Sequence, residues 1–213
     1  MTRLVPAVLT LTDLPLAELN CARLDGELFA VAGAWCPVDA HDGPETRARA
    51  LAPLAPSRAA AERMTAAWVY GLAAEPHRHQ FCVDVTARTR KPGGAGTLLR
   101  EVRIGPDDTR VLAQQLVTTP LRTAIDLARW GVSPGVPPDT ALLADLLAYD
   151  GPANDVPAID ALDYAALVHL GLEAGRTDAG ERTVRHGISF SRQAAGRLME
   201  ARRLVGRRLP AGP

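Results

Sequence analysis

Apolar and polar positions along the chain follow strand and helix periods in turn, and each stretch predicts an element. Val5–Leu11 is a short apolar run of strand-favouring residues, and Asp13 with Pro15 then opens a segment of helical spacing that reaches Leu24 and stops at Gly26. Leu28–Val31 and Ala34–Val38 flank Gly33, the pattern of two strands joined by a tight turn. From His41 to Pro56 prolines punctuate the chain, leaving room for one short helix over Glu45–Leu54. Ser57 then caps a predicted helix running to Tyr70 and closed by Gly71, with Ala60, Met64, Ala67 and Val69 as apolar contacts and Trp68 as a large anchor. Phe81, Val83 and Val85 alternate with Cys82, Asp84 and Thr86, which predicts a half-buried strand.

Arg88–Gly96 is rich in glycine and cations and reads as a loop, Leu98–Ile104 as a second strand, and Val111–Leu112 with Leu116–Thr118 as two more. Thr119 and Pro120 open a helix whose stripe is Leu121, Ala124, Ile125 and Ala128, ended by Gly131. After the break at Ser133–Pro138, helices are predicted over Asp139–Ala148, Ala158–Leu172 and Ser191–Arg208; in the last, Ala194, Leu198, Ala201 and Val205 form one stripe and Arg192, Arg203 and Arg207 lie opposite. Helix followed directly by hairpin is the back half of a winged helix, and too few residues precede it for the missing helices. The expected class is α+β: a truncated winged-helix-like segment over 1–40, a mixed α+β core over 41–131, and a helical C-terminal region over 132–213 with a basic last helix.

Composition adds an ordinary globular balance, 47% hydrophobic and 23% charged over 213 residues, with no apolar run approaching the ~20 residues of a membrane span. The first residues lack the pattern of a secretory signal, and Cys21, Cys36 and Cys82 are few and scattered, so reduced thiols and a cytoplasmic location are expected. Net charge is zero, from 24 cationic and 24 acidic residues, and Lys91 is the sole lysine. The zero hides a polarised tail: residues 133–173 hold seven acids and no Lys or Arg, whereas 174–213 hold nine arginines against three acids. Those arginines either neutralise the acidic stretch or face an anionic partner. Arg88, Arg90 and Lys91 in the loop, with Arg192, Arg202, Arg203, Arg207 and Arg208 in the last helix, are the candidate nucleic-acid contacts.

Other chemistry has weaker support. His77, His79 and Cys82 could offer zinc three ligands, but no fourth stands at a recognisable spacing, and no metal is expected. Asp84 on one strand and Glu101 with Arg103 on the next have the layout of a magnesium nuclease site, yet arginine stands where such a site uses lysine, and arginine does not give up its proton. Gly93, Gly94 and Gly96 lack the Lys-Ser/Thr of a phosphate loop, and no serine sits in a nucleophile elbow, so neither cofactor nor catalytic residue is expected.

Three segments together carry a family resemblance: Ala22-Arg23-Leu24-Asp25-Gly26-Glu27-Leu28-Phe29-Ala30-Val31, then Thr65-Ala66-Ala67-Trp68-Val69-Tyr70-Gly71-Leu72, then Val117-Thr118-Thr119-Pro120-Leu121-Arg122-Thr123-Ala124-Ile125-Asp126-Leu127-Ala128-Arg129. The chain resembles the AbiEi antitoxins of type IV toxin–antitoxin systems in their short actinobacterial form, over roughly residues 5–130. The resemblance implies a DNA-binding winged helix that represses the protein's own promoter, an antitoxin domain, and a nucleotidyltransferase-like toxin counteracted without a stable complex. It departs from the pattern at the recognition helix, which is short and nearly neutral. Within the third segment, Thr118 or Thr119 caps the helix and Arg122 with Asp126 is read as an i,i+4 pair on the solvent side, or as Asp126 holding Arg122 toward a phosphate. Trp68 and Tyr70 are read as aromatics that pack this helix against the sheet, with stacking on a base in a basic groove as the alternative. The leading expectation is a non-enzymatic antitoxin or transcriptional regulator acting through DNA or a partner, with no membrane association. A family member without DNA binding that acts as a protein-interaction module is the alternative, and a divergent nuclease the third.

Overall fold

The computed structural model describes residues 6–87, 96–149 and 181–208, with backbone alone at 181–191 and 208. Among the described residues it is a mixed α/β fold with six helices and sheets of two and five strands. The helix predicted over Ala158–Leu172 and the candidate contacts Arg88, Arg90 and Lys91 lie outside the described residues.

Helix α1 (Leu16–Leu24) starts after Pro15 and ends at Gly26, whose φ of 78° suits a residue without Cβ. Asp13 does not cap it, because its carboxylate accepts from the Thr10 backbone N–H at 2.8 Å and the Thr10 hydroxyl at 2.9 Å, closing a turn before the helix. Strands β1 (Leu28–Val31) and β2 (Ala34–Pro37) pair as an antiparallel hairpin. The turn places Ala32 at φ 49°, while Gly33 is needed for contact: a Cβ there would come within 2.7 Å of the Leu54 side chain. Of the expected strand over Val5–Leu11, the described residues 6–11 form a single bridge, between Leu9 and Trp35. Leu9, Leu19 and Leu28 form a small core under this unit, with Leu14, Ala22 and Trp35 around it.

Helix α2 (Pro44–Leu51) ends one turn sooner than predicted. The long helix from Ser57 to Tyr70 is not formed. Its first half supplies β3 (Ala60–Ala61), and only α3 (Arg63–Val69) is helical. Alanine favours helix, but β3 lies between β4 (His79–Asp84), to which it is antiparallel, and β7 (Gln115–Thr118), to which it is parallel, and those neighbours decide its conformation. The sheet order is β5-β4-β3-β7-β6, with β5 (Thr97–Val102) parallel to β4 and β6 (Thr109–Leu112) antiparallel to β7. Strand β4 is covered on both faces: Phe81 enters the main core, and Cys82 enters a second cluster with Ala60 and Val102.

Helix α4 (Pro120–Trp130) is capped by the Thr119 hydroxyl, which accepts from the Arg122 N–H at 3.4 Å, and ends at Gly131 with φ 75°. A Cβ at Gly131 would stand 2.3 Å from the Val136 carbonyl oxygen. Helix α5 (Thr140–Leu147) is capped by Asp139 through the Ala141 N–H at 3.0 Å. Helix α6 (Glu181–Arg208) packs on both. Ala124, Leu127 and Ala128 of α4, Leu143 and Leu146 of α5, and Leu198, Ala201 and Val205 of α6 share the main core, which reaches back to Val8 and includes Trp68 and Tyr70. Each fully buried leucine there contributes about 1.5–3 kcal/mol. The predicted apolar stripe of α6 is thus its inner face. In α4 the solvent-side placement of Arg122 and Asp126 is overturned: both are buried, because α3, α5 and α6 pack around the helix and Arg100 of β5 reaches its polar face.

Candidate functional site

The buried polar face of α4 meets charges from three other places. Glu62 follows β3, where its N–H donates to the Gln80 carbonyl at 3.0 Å, and its carboxylate side chain is 1% exposed. Arg100 on β5 donates from Nε to both Glu62 oxygens, at 3.1 and 3.2 Å, and from Nη2 to Oε2 at 2.6 Å; Arg63 Nε donates to Oε1 at 3.3 Å. Arg100 Nη2 also stands 3.4 Å from Asp126 Oδ2, to which Arg122 Nε donates at 2.9 Å. Arg122 Nη1 continues the chain to the Asp108 carboxylate and to the Arg103 carbonyl at 3.2 Å.

Burial opposes the charge on Arg100 and Arg122. Glu62 and Asp126 outweigh it for the first, Asp126 and Asp108 for the second, so both are held above the ordinary arginine value. Burial dominates at Arg129, which is held below it despite Asp126. The Cys82 thiol is pushed well up, by burial first and by Glu62 and Asp126 second, so it is no nucleophile. Each carboxylate in this network accepts from arginine, and arginine neither takes nor gives a proton at working pH. The network is a structural lock. Trp130, 44% exposed at the end of α4, has the Arg129 and Arg100 guanidinia 4.9 and 5.2 Å from its ring centre.

The outer face of α6 is different in kind. Arg192, Arg203 and Arg207 are exposed and, among the described residues, make no ion pair. Arg203 and Arg207 lie one turn apart, about 6 Å along the axis. They border a groove of about 730 Å³ between α5 and α6 whose floor includes Met199 and Leu204, with Thr140 and Glu200 beside them. Arg202 is half-buried, and Arg208 lies on the helix backbone without a described side chain. Arg197 is not a surface cation, since its Nη1 donates to the Ala128 carbonyl at 2.7 Å and ties α6 to α4.

The remaining candidates are dispersed. His79 is buried beside Trp68, with Nε2 3.4 Å from the Glu75 carboxylate, and burial lowers its pKa; Cys82 enters the cluster with Ala60 and Val102. The Asp84 carboxylate accepts from the Thr86 N–H and the Ile104 N–H, both at 2.8 Å, and so shapes a turn, while Glu101 faces solvent. Among the described residues no three of His, Cys, Asp or Glu are grouped to hold a metal ion. No described helix is long and apolar enough to cross a membrane. Trp68 and Tyr70 are core residues, the Tyr70 hydroxyl donating to the Thr118 carbonyl at 2.5 Å. Sequence reasoning did not single out Glu62, Arg100 or Asp108. The available signal was the Arg122–Asp126 pair on a helix that already carries a complete apolar stripe.

No protein-family model matches the chain, and no curated protein matches it. Among solved structures, the crystal structure of the Rv2827c protein from Mycobacterium tuberculosis is similar over 97% of this chain and 78% of that one, at 15% identity and a TM-score of 0.41.

Proposed function

We propose that the protein is a non-enzymatic regulator of the AbiEi antitoxin kind that binds DNA through the outward arginines of α6. The observation that carries this reading is the division of the arginines: Arg63, Arg100 and Arg122 are locked to carboxylates inside the fold, whereas Arg192, Arg203 and Arg207 stand outward and unpaired among the described residues. Cations left without internal partners are the ones that can release counterions from a phosphate backbone. The α1–hairpin unit, with the Leu9–Trp35 bridge as a third rung, supports a winged-helix-like ancestry. Helix α1 itself is a poor reader of bases, for its exposed positions include Leu16, Glu18 and Leu24. The family resemblance supplies the rest of the reading: the protein's own promoter as target and a nucleotidyltransferase-like toxin as functional counterpart.

The test is fluorescence anisotropy with the protein's upstream duplex and a scrambled one at several salt concentrations. Selective binding weakened by Arg203→Ala and Arg207→Ala supports the regulator. Absence of binding to both duplexes at low salt rejects it. A second reading, a protein-interaction module, is favoured by the apolar surface of the N-terminal unit, where Leu11, Leu16, Leu24 and Val38 are 63, 52, 83 and 58% exposed.

A further inference from the structure

A second cationic groove, of about 500 Å³, lies where the end of α2, the turn before β3 and the tip of the β6–β7 hairpin meet. Arg49 and Arg58 line it with Gln114, and among the described residues no acidic one does. Both arginines are exposed and, among the described residues, neither makes an ion pair. The volume is that of a small-ligand site.

The backbone here is held in an unusual way. The Ala59 N–H donates to the Pro56 carbonyl at 3.1 Å, so Arg58 occupies the third position of a four-residue turn, and its φ is +62°. That position normally falls to glycine or asparagine, and an arginine there is strained. Across the groove, Ala113 and Gln114 also have positive φ, 46° and 73°, so three of the five non-glycine residues in this conformation among the described residues line one groove. The two walls are pinned together by Gln115, whose Nε2 donates to the Ala59 carbonyl at 3.0 Å and to the Leu116 carbonyl at 2.9 Å. A hairpin needs positive φ at its tip, which accounts for Ala113 and Gln114. Nothing in the topology asks for arginine at 58. Strain retained at an exposed, cationic turn position is the pattern of a pre-organised ligand contact.

We propose that this groove binds a phosphoryl group, with Arg58 and Arg49 as its charge partners and the Gln114 amide as an additional donor. The phosphoryl source is a nucleic-acid strand or a free nucleotide, which share the oxyanion recognised. This site is distinct from the α6 face, and the experiment separates the two. The full chain is titrated with a fluorescein-labelled duplex, a labelled single strand, and AMP, and compared with Arg58→Gly, Arg49→Ala, the α6 double variant Arg203→Ala/Arg207→Ala, and Arg23→Ala as a charge control away from the groove.

Expected are a loss of about tenfold in affinity for at least one probe in each groove variant, no loss in the control, and a Tm of Arg58→Gly at or above that of the parent. A loss confined to AMP assigns a nucleotide, and a loss with either strand assigns nucleic acid. If Arg58→Gly lowers the Tm, Arg58 is a structural residue and the proposal falls. It falls equally if the groove variants bind as the parent does while the α6 variant loses binding, an outcome that leaves the α6 reading standing. Loss in the groove variants with none in the α6 variant keeps this site and removes the other. Absence of binding to all three probes removes this proposal.

Discussion

Helices α4 and α6 are both amphipathic and both arginine-bearing, yet their polar faces have opposite fates. In α4 the apolar face packs on α5 and α6 and the polar face lies against β5 and the residue after β3, so Arg122, Asp126 and Arg129 are 4, 1 and 5% exposed. In α6 the apolar face packs inward on α4 and α5, and Arg192, Arg203 and Arg207 remain in water. A helical pattern fixes which residues share a face but not whether a second layer covers the other face. The same residue type is therefore paired inside the fold on α4 and exposed on the outer face of α6.

The comparison breaks most visibly if the buried network is cut. Asp126→Ala leaves Arg122 and Arg100 facing a lost carboxylate, and destabilisation of about 3–5 kcal/mol is expected in urea unfolding. Arg122→Met/Asp126→Leu, which removes charge on both sides, should recover most of that loss. A cost below about 1 kcal/mol for Asp126→Ala would mean that α4 is no more locked than α6.

On the other side of the comparison, Arg192→Ala/Arg203→Ala/Arg207→Ala should unfold within about 0.5 kcal/mol of the parent per substitution. The same variant should flatten the salt dependence of duplex binding, its log–log slope falling by about 3 if each arginine meets one phosphate. An unchanged slope would place the phosphate contacts elsewhere.

The smallest effect belongs to His79, a buried base without a cationic role. Burial lowers its pKa in the fold, so the unfolded chain takes up the proton first as pH drops through the ordinary histidine value near 6.5. Stability contributed by this group is present above that pH and is lost below it, at up to about 1.4 kcal/mol per pH unit until the folded state also protonates. His79→Gln should flatten that part of the stability–pH curve, and a curve unchanged by the substitution would exclude the linkage.

Much of the fold was legible because its signals are local. Pro120 and Gly131 bracket α4, Asp139 caps α5, and Gly26 ends α1, each through backbone geometry that a single residue sets. Strand β3 was not legible, since Ala60 and Ala61 have no strand preference and owe their conformation to β4 and β7, distant in sequence. The candidate surface on α6 could be read from periodicity. Glu62, Arg100 and Asp108 could not, because they meet α4 only through tertiary contacts, and Arg58 is marked by its positive φ, which its neighbours along the chain do not signal.

The central place of β3 has a consequence for how the chain reaches this state during synthesis. A two-residue strand whose parallel partner is β7, with Ala61 opposite Val117, leaves the ribosome long before that partner exists. Until β7 emerges, the nascent sheet has an open edge at its middle, and closing it requires a long loop search rather than a hairpin. Refolding should therefore be slower than the local α1–hairpin unit alone would suggest. In pulsed hydrogen exchange, protection of Val117 should appear together with that of Phe81, late and in one step; early protection at Phe81 would show that the sheet's centre assembles without its final strand.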